Sequence, residues 1–449
     1  MSVTLSGVQG ALTPSPSKVA LAGNYIGDTI AFASQYLPDT DAKEFAKYGN
    51  RSVAGFLSQM GAEVPFSSDI IQWSEQGRLH IAKTDMTFAT NVISDASGHA
   101  FRAGQTVILT DGTVQVKGIV LDNANLTATG FEIAPFEASP SALSTTANAI
   151  SGYVYGSEFR KGTNGMSGSL EAPKDIKSVT PIILKDKYEV AGSDMAQIGW
   201  IEVETDSGSG YLWYLKSESE TRKRFEDYLE MSMIEAIPAE SGSEAADSAN
   251  GYKGTKGLFY QVENGGNIAT GSIADKTDID NIVKLLDKEG AIQENVIFVN
   301  RTKSFEIDAV LAGLNNFGSS GASFGLFDND ENMALSLGFQ GFNLGYDFYK
   351  SDWKYLNDAT TGSLSGAVDG LIAPAGTTSV YDEVMGESVT LPFLHVKYRK
   401  SATEDRKYKS WVVGSAGGAS NSDLDAMQVH FLSERALCVM GANNFVLLK

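Results

Sequence analysis

The sequence predicts an α+β chain with more than one domain. Three observations lead to that class. A charged helix, "KSESETRKRFEDYLEMSMIEA" at 216–236, stands among segments rich in Gly, Ser, Thr and Val that suit strands and loops. An Asp-Gly pair, Asp111-Gly112, flanked by alternating apolar residues marks a β-hairpin. Between 258 and 315, strand-like and helix-like runs alternate, the pattern of a compact α/β unit. A chain of 449 residues has room for about two to four domains.

Taken in order, residues 1–75 carry little core of their own. They hold Pro14, Pro16, Pro38 and Pro65, and "DAKEFAKYGNRSVAGFLSQM" predicts a short helix broken near Gly49. Such a segment reads as an arm laid over a partner surface. In "GQTVILTDGTVQVKGIVL" the hairpin joins Val107–Leu109 to Val114–Val116, and "KGIVL" with "TGFEI" predicts a second strand pair. Residues 136–210 show no clear period; "TPIILKDKYEVAG" and "AQIGWIEVET" predict a two-stranded ribbon, which seldom stands alone in water.

The helix follows Gly208 and Gly210. Phe225, Tyr228, Leu229, Met233 and Ala236 recur at spacings of three and four and form one apolar stripe. Its other faces carry Glu218, Glu220, Arg222, Lys223, Arg224, Glu226, Asp227 and Glu230, and Pro238 ends it. A stripe this narrow packs on one sheet. Beyond it, "GLFYQV" reads as a strand. "TDIDNIVKLLDKEG" reads as a helix capped by Thr277 or Asp278, with Ile279, Ile282, Val283 and Leu286 inward and a stop at Gly290. "NVIFVN" is a buried strand, and "TKSFEIDAVLAGLNN" a helix with Ile307, Val310, Leu311 and Leu314 on one face. From about 335 strands dominate: "FNLGYDFYKS", "PFLHVKYRK", "YKSWVVG", "MQVHFLSE", "ALCVM" and "FVLLK", with a turn at "GANN". Leu394, Val396 and Tyr398 alternate with His395, Lys397 and Arg399, as in a half-buried strand.

Composition narrows the function. The 35 basic and 55 acidic residues give a net charge of -20, which repels phosphates and argues against a sequence-specific DNA binder. One basic run stands out at 395–410, where Lys397, Arg399, Lys400, Arg406, Lys407 and Lys409 face only two acids; it is expected to meet acidic protein surface. The lone Cys438 excludes an intramolecular disulfide and a multi-cysteine zinc site and reads as a core residue. The N-terminus lacks the basic start and apolar run of a signal peptide, and no window of about 20 apolar residues predicts a membrane span.

No catalytic constellation emerges. His80, His99, His395 and His430 lie at no metal-ligand spacing. "GYKGTKG" at 251–257 breaks the order of a phosphate loop. "DNDENM" at 328–333 begins like a calcium loop but lacks the sixth-position Gly, and Phe339 stands where the bidentate Glu belongs. "GMSGS" and "GSAGG" lack the spacing of a nucleophile elbow. Many carboxylates leave a glycosidase pair open, but none are singled out. The expectation is therefore no catalytic, cofactor-binding or metal residues.

Specific stretches resemble a known family. "KDKYEVAGSDMAQIGWIEVETDSGSGYLWYLKSESETRKRFEDYLEMSMIEA" resembles the extended loop and long spine helix of tailed-bacteriophage major capsid proteins. "KYLNDATTGSLSGAVDGLIAPAGTTSVYDEVMGESVTLPFLHVKYRKS", "DRKYKSWVVGSAGG" and "DAMQVHFLSERALCVMGANNFVLLK" resemble later segments of these proteins in crAss-like and related podophages of Bacteroidetes. The resemblance covers about residues 180–449; residues 76–150 depart from the minimal fold and would suit an inserted domain.

The resemblance implies an α+β Hong Kong-97-type phage capsid fold. Its parts would be an N-terminal arm at 1–75, a β-rich insertion at 76–150, an extended loop at 151–207, the spine helix of a peripheral domain at 208–255, an axial domain at 256–334, and remaining axial and peripheral strands at 335–449. It implies a major capsid protein that self-assembles through hexamers and pentamers into an icosahedral head. That head would enclose double-stranded DNA without sequence-specific binding. The implied partners are the portal protein, auxiliary or decoration proteins and a scaffold, with no membrane and no cofactor, assembly being in the host bacterial cytoplasm. Spine packing would fall to Phe225, Tyr228, Leu229 and Met233, and intersubunit ionic contacts to Lys397, Arg399, Lys400, Arg406, Lys407 and Lys409. A β-rich tail, baseplate or surface adhesive protein is the alternative, although no repeat or fibre pattern is present; a hydrolase has no motif behind it.

Overall fold

In a computed structural model, the structure describes residues 52–57, 62–138, 142–197, 203–205, 208–210, 213–247, 249–316, 341–382, 387–418 and 420–449. The acidic stretch at 328–333 and most of the expected arm lie outside the described residues. The chain divides into two compact units. One comprises Met1–Ser52, Asp186–Phe225 and Ser410–Phe431; the other comprises Val53–Lys185, Glu226–Lys409 and Leu432–Lys449.

In the second unit, β1 (Ala62–Phe66) is followed by β2 (Ile71–Gln76), which pairs antiparallel with β9 (Lys174–Val179) as a separate two-stranded ribbon. Gln76 lies opposite Lys174. Between those two paired positions the chain builds a closed six-stranded barrel. Its strands are β3 (Ala82–Ala89), β4 (Val92–Ser94), β5 (Gln105–Thr110), β6 (Gln115–Val120), β7 (Gly130–Pro135) and β8 (Ile150–Ser157). The closing strand therefore runs past position 150.

The expected hairpin is present: β5 and β6 pair from Thr106↔Ile119 to Thr110↔Gln115. Asp111 makes the turn, accepting from the N–H groups of Thr113 and Val114 through Oδ1 and from Ser144 through Oδ2. Gly112 supplies the left-handed φ of 88° there. The second expected pair is β6 with β7. Met86, Ile93, Val107, Leu109, Phe131, Ile133 and Ile150 fill the barrel, as inward positions of a small barrel must.

The strand "TPIILKDKYEVAG" forms β10 (Ile182–Ala191), and among the described residues it does not pair with "AQIGWIEVET". β10 joins a five-stranded sheet, while β11 (Val203–Thr205) pairs with β12 (Gly208–Gly210). Periodicity along one strand carries no information about its partner, so this pairing could not be read locally.

Helix α1 (Trp213–Glu235) follows. The next run corrects a strand expectation: "GLFYQV" lies in α2 (Leu258–Gly265). Leu258, Phe259 and Val262 are buried together, so burial at i, i+1 and i+4 overrides the β-propensity of Phe, Tyr and Val. β13 (Asn267–Ala269) leads to α3 (Lys276–Glu289). Its cap is Asp275 rather than Thr277 or Asp278; Asp275 accepts from Thr277 N–H, and Asp278 closes a capping box. Gly290 ends it in the left-handed conformation, as expected. β14 (Glu294–Val299) and α4 (Arg301–Asn316) follow their sequence patterns. Leu314 lies among residues whose side chains are outside the description.

"FNLGYDFYKS" is two strands, β15 (Gly341–Asn343) and β16 (Asp347–Asp352), folded back at Gly345 with φ 85°. β17 (Gly370–Pro374) is buried throughout, and β18 (Thr377–Asp382) pairs with β19 (Glu387–Pro392). After β20 (Leu394–Arg399) and β21 (Lys409–Gly414), "MQVHFLSE" and "ALCVM" merge into one strand, β22 (Ala426–Val439). A turn with Gly441 at φ 60° then leads to β23 (Val446–Leu448).

The five-stranded sheet runs β1-β20-β22-β10, with β21 also on β22. The six-stranded sheet runs β13-β23-β17-β14-β16-β15. On one face of the latter, Ile297, Val299, Ile372 and Leu448 pack with Ile279, Ile282 and Leu286 of α3 and Ile307 and Leu311 of α4. On the other, Phe298, Leu371, Ala373 and Leu447 join a core that contains Met233 and Ile234 of α1 and Leu258 and Val262 of α2.

Candidate functional site

The residues singled out by sequence fall on α1 and on the basic run, and each has a definite setting. Phe225, Leu229 and Met233 are buried. Phe225 stacks on Phe431 with ring centroids 5.8 Å apart. Tyr228 is 43% exposed and stands outside the buried stripe. It is three residues from Phe225, and at 3.6 residues per turn it lies off the line that joins 225, 229 and 233. The outward faces carry the charge expected of them, with Lys216–Glu220 and Glu218–Arg222 pairs one turn apart and Arg224 against Asp186.

Glu230 corrects the reading of those faces, because it is buried. Its carboxylate accepts from the N–H groups of Gly55 and Phe56 at 2.6 and 2.8 Å. Asp227, one turn earlier, accepts from Val53 and Ala54 at 2.9 and 3.0 Å. Four successive backbone donors are thus satisfied by two carboxylates of α1. Phe56 then stacks on Trp353 at 4.3 Å. Burial raises the Glu230 pKa, against the hydrogen bonds that lower it. At the end of the helix, Tyr355 donates its hydroxyl to Glu235 at 2.6 Å. Burial and that carboxylate push the phenol's pKa up.

In the basic run, five of the six cations are paired within the chain. Arg399 meets Asp69 and places Nε 2.9 Å from Glu434; Arg406 places Nε 2.8 Å from the other oxygen of Glu434. Lys400 pairs with Asp405, Lys407 with Glu63, and Lys409 with Glu404. Lys397 has no ion pair among the described residues. Beside Arg399 the Asp69 carboxyl is held below its usual range. Sequence reasoning missed Glu434, although its signal was legible: Glu434-Arg435 interrupts the apolar strand "VHFLSERALCVM". Glu434 is buried between the two guanidiniums, and buried Arg435 donates to Ser433 Oγ and the Lys407 carbonyl.

Three of the histidines pack against other residues, while His80 is exposed. His395, expected on the wetter side of its strand, is fully buried opposite Cys438, with Nδ1 3.3 Å from the Pro392 carbonyl. Burial, with Lys397 nearby, pulls its pKa down to about 4. Cys438 is a core residue, as expected, and burial pushes its thiol up to about 12. His99 lies 4.8 Å from the Phe131 ring, and His430 stacks on Trp411 at 5.2 Å. Among the described residues no three His, Cys, Asp or Glu side chains gather as a metal site, and no helix is long and apolar enough to cross a membrane.

Large apolar side chains are instead exposed along the extended stretch between the barrel and α1. Phe159, Leu170, Ile176 and Ile183 all face solvent. They sit on loops, the ribbon and β10, where no second layer of the described residues covers them.

No protein-family profile matches the sequence, and no curated protein matches it. Solved structures do resemble the fold. One from Microbacterium phage Oxtober96 is 10% identical at a TM-score of 0.40, covering 94% of this chain and 98% of its own. The capsid structure of the cyanophage P-SCSP1u is 11% identical at 0.40, covering 96% and 98%. The asymmetric unit of the bacteriophage PhiM1 mature capsid is 9% identical at 0.39, covering 92% and 91%.

Proposed function

We propose that this chain is a phage major capsid protein of the Hong Kong-97-type fold. It would self-assemble through hexamers and pentamers into an icosahedral head around double-stranded DNA. The observation that carries the reading is the row of exposed apolar side chains, Phe159, Leu170, Ile176 and Ile183, on extended segments before a long helix buried along one stripe. Surface of that kind is stabilised by neighbouring subunits, at about 25 cal/mol per Å² of apolar area covered. The resemblance of the helix and C-terminal segments to capsid proteins points the same way. Catalysis has no role in this reading, and the acidic chain tolerates packed DNA without gripping it.

The basic run contributes to contacts between copies through Lys397 and through exposed pairs such as Lys400–Asp405, which can exchange partners at about 0–1 kcal/mol each. The portal, a scaffold and decoration proteins are the further partners this role entails. Negative-stain imaging of the purified chain tests the reading. Closed shells or hexameric tiles are expected. Rods or fibres would replace it with a tail or adhesive role, and small monodisperse particles at all concentrations would end it.

A further inference from the structure

The β2–β9 ribbon turns one face inward. At one end of that face Ile71 and Val179 are buried on Ala436 and Cys438. Toward the other end the fit opens into a cavity of about 170 Å³, lined by Trp73, Glu75 and Lys177 of the ribbon, Lys256 before α2, and Tyr260 of α2. The space takes a carboxylate side chain with a few waters, since a water needs roughly 10–15 Å³ measured this way.

Its polar groups are unevenly matched. Glu75 Oε1 is occupied, accepting from Trp73 Nε1 at 2.9 Å and from Gly441 N–H at 3.0 Å. Lys177 is held by Asp175 at 2.6 Å. Lys256 and Tyr260 are partly buried residues, and neither the Lys256 ammonium nor the Tyr260 hydroxyl has a partner among the described residues. An ammonium with no ion pair, beside an unused hydroxyl and an indole wall, fits an anion with two acceptor oxygens.

We propose that this cavity seats an Asp or Glu side chain of a second copy of the chain, held by Lys256 and Tyr260. The inference rests on the self-assembly reading. Charge complementarity selects the occupant: 55 acidic against 35 basic residues make a carboxylate the charged group a second copy most often presents.

Two experiments on the full-length chain decide it. Lys256→Glu should raise the critical concentration for particle formation at least tenfold, with the parent's thermal midpoint kept, and Lys256→Arg should restore assembly. In the second, a photo-crosslinking phenylalanine analogue replaces Tyr260 in particles assembled from mixed heavy- and light-isotope chains. Mixed heavy–light crosslinks to a peptide at an Asp or Glu are expected. A parent chain that forms no particles overturns the assembly reading and this inference together. A parent that assembles while Lys256→Glu assembles equally well overturns this inference alone, as do crosslinks confined to single chains. Should Lys256→Glu fail to fold, the crosslinks alone decide: mixed pairs support the inference and single-chain pairs overturn it.

Discussion

The barrel and the six-stranded sheet are built in opposite ways. Every pairing in the barrel joins residues between Ala82 and Ser157, several through tight hairpins such as Thr90-Asn91 and the Asp111 turn. The six-stranded sheet instead pairs Asn267 with Val446 and Val299 with Gly370, and mixes parallel with antiparallel neighbours. Closure leaves the barrel without sheet edges, and it connects to the rest through the paired strands β2 and β9. The sheet has its faces covered by segments far apart in sequence. Local pairing closes the barrel within one continuous stretch of chain; long-range pairing makes the body wait until segments far apart in sequence have met.

The strongest way to break this comparison is to open the barrel core. Phe131 is fully buried there, and Phe131→Ala should cost the barrel about 3–5 kcal/mol. Hydrogen-exchange mass spectrometry should show lost protection in peptides from 82–157 and unchanged protection in β14 and β17. Equal loss in both would mean that they unfold as one unit.

Acid should separate the regions next. His395, on β20, folds neutral with a pKa of about 4 against an ordinary value of 6.5. The unfolded chain binds that proton first, so this contribution is full above pH 6.5 and declines toward pH 4, by on the order of 3 kcal/mol. In the barrel, hydrogen bonds from Ser97 and Lys83 hold Asp95 at about 2. Its contribution is complete above its ordinary value of 3.8 and is lost as pH falls through about 2. Exchange rates corrected for intrinsic pH dependence should show β20 loosening between pH 6.5 and 4 while the barrel holds. The reverse order would contradict both assignments.

The smallest effect should come from the largest deletion. Joining Gln76 to Lys174 by a short Gly/Ser turn removes the barrel but keeps the ribbon's register, because those residues already face each other. The thermal midpoint of the remaining body should move by no more than about 2 °C in calorimetry, since a change below 0.5 kcal/mol is expected away from its core. A drop beyond about 5 °C would show that the barrel stabilises the body.

The same contrast explains what could be read without coordinates. The Asp111-Gly112 hairpin, the α1 stripe through Phe225, Leu229 and Met233, and the helix stop at Gly290 follow from spacing, because turn chemistry and helical period act within a few residues. Tertiary structure decided the rest. Burial of Leu258, Phe259 and Val262 in one core turned "GLFYQV" into a helix, and β22 is one strand because its neighbours β20, β21 and β10 run along it. Glu230 became a buried acceptor because the N–H groups of Gly55 and Phe56 arrive from 175 and 174 residues away. The partners of the basic run, Glu63, Asp69 and Glu434, likewise come from distant strands and loops. A sequence specifies short-range geometry residue by residue, but a partner separated by hundreds of residues is fixed only when long-range packing repays the entropy of bringing the two together.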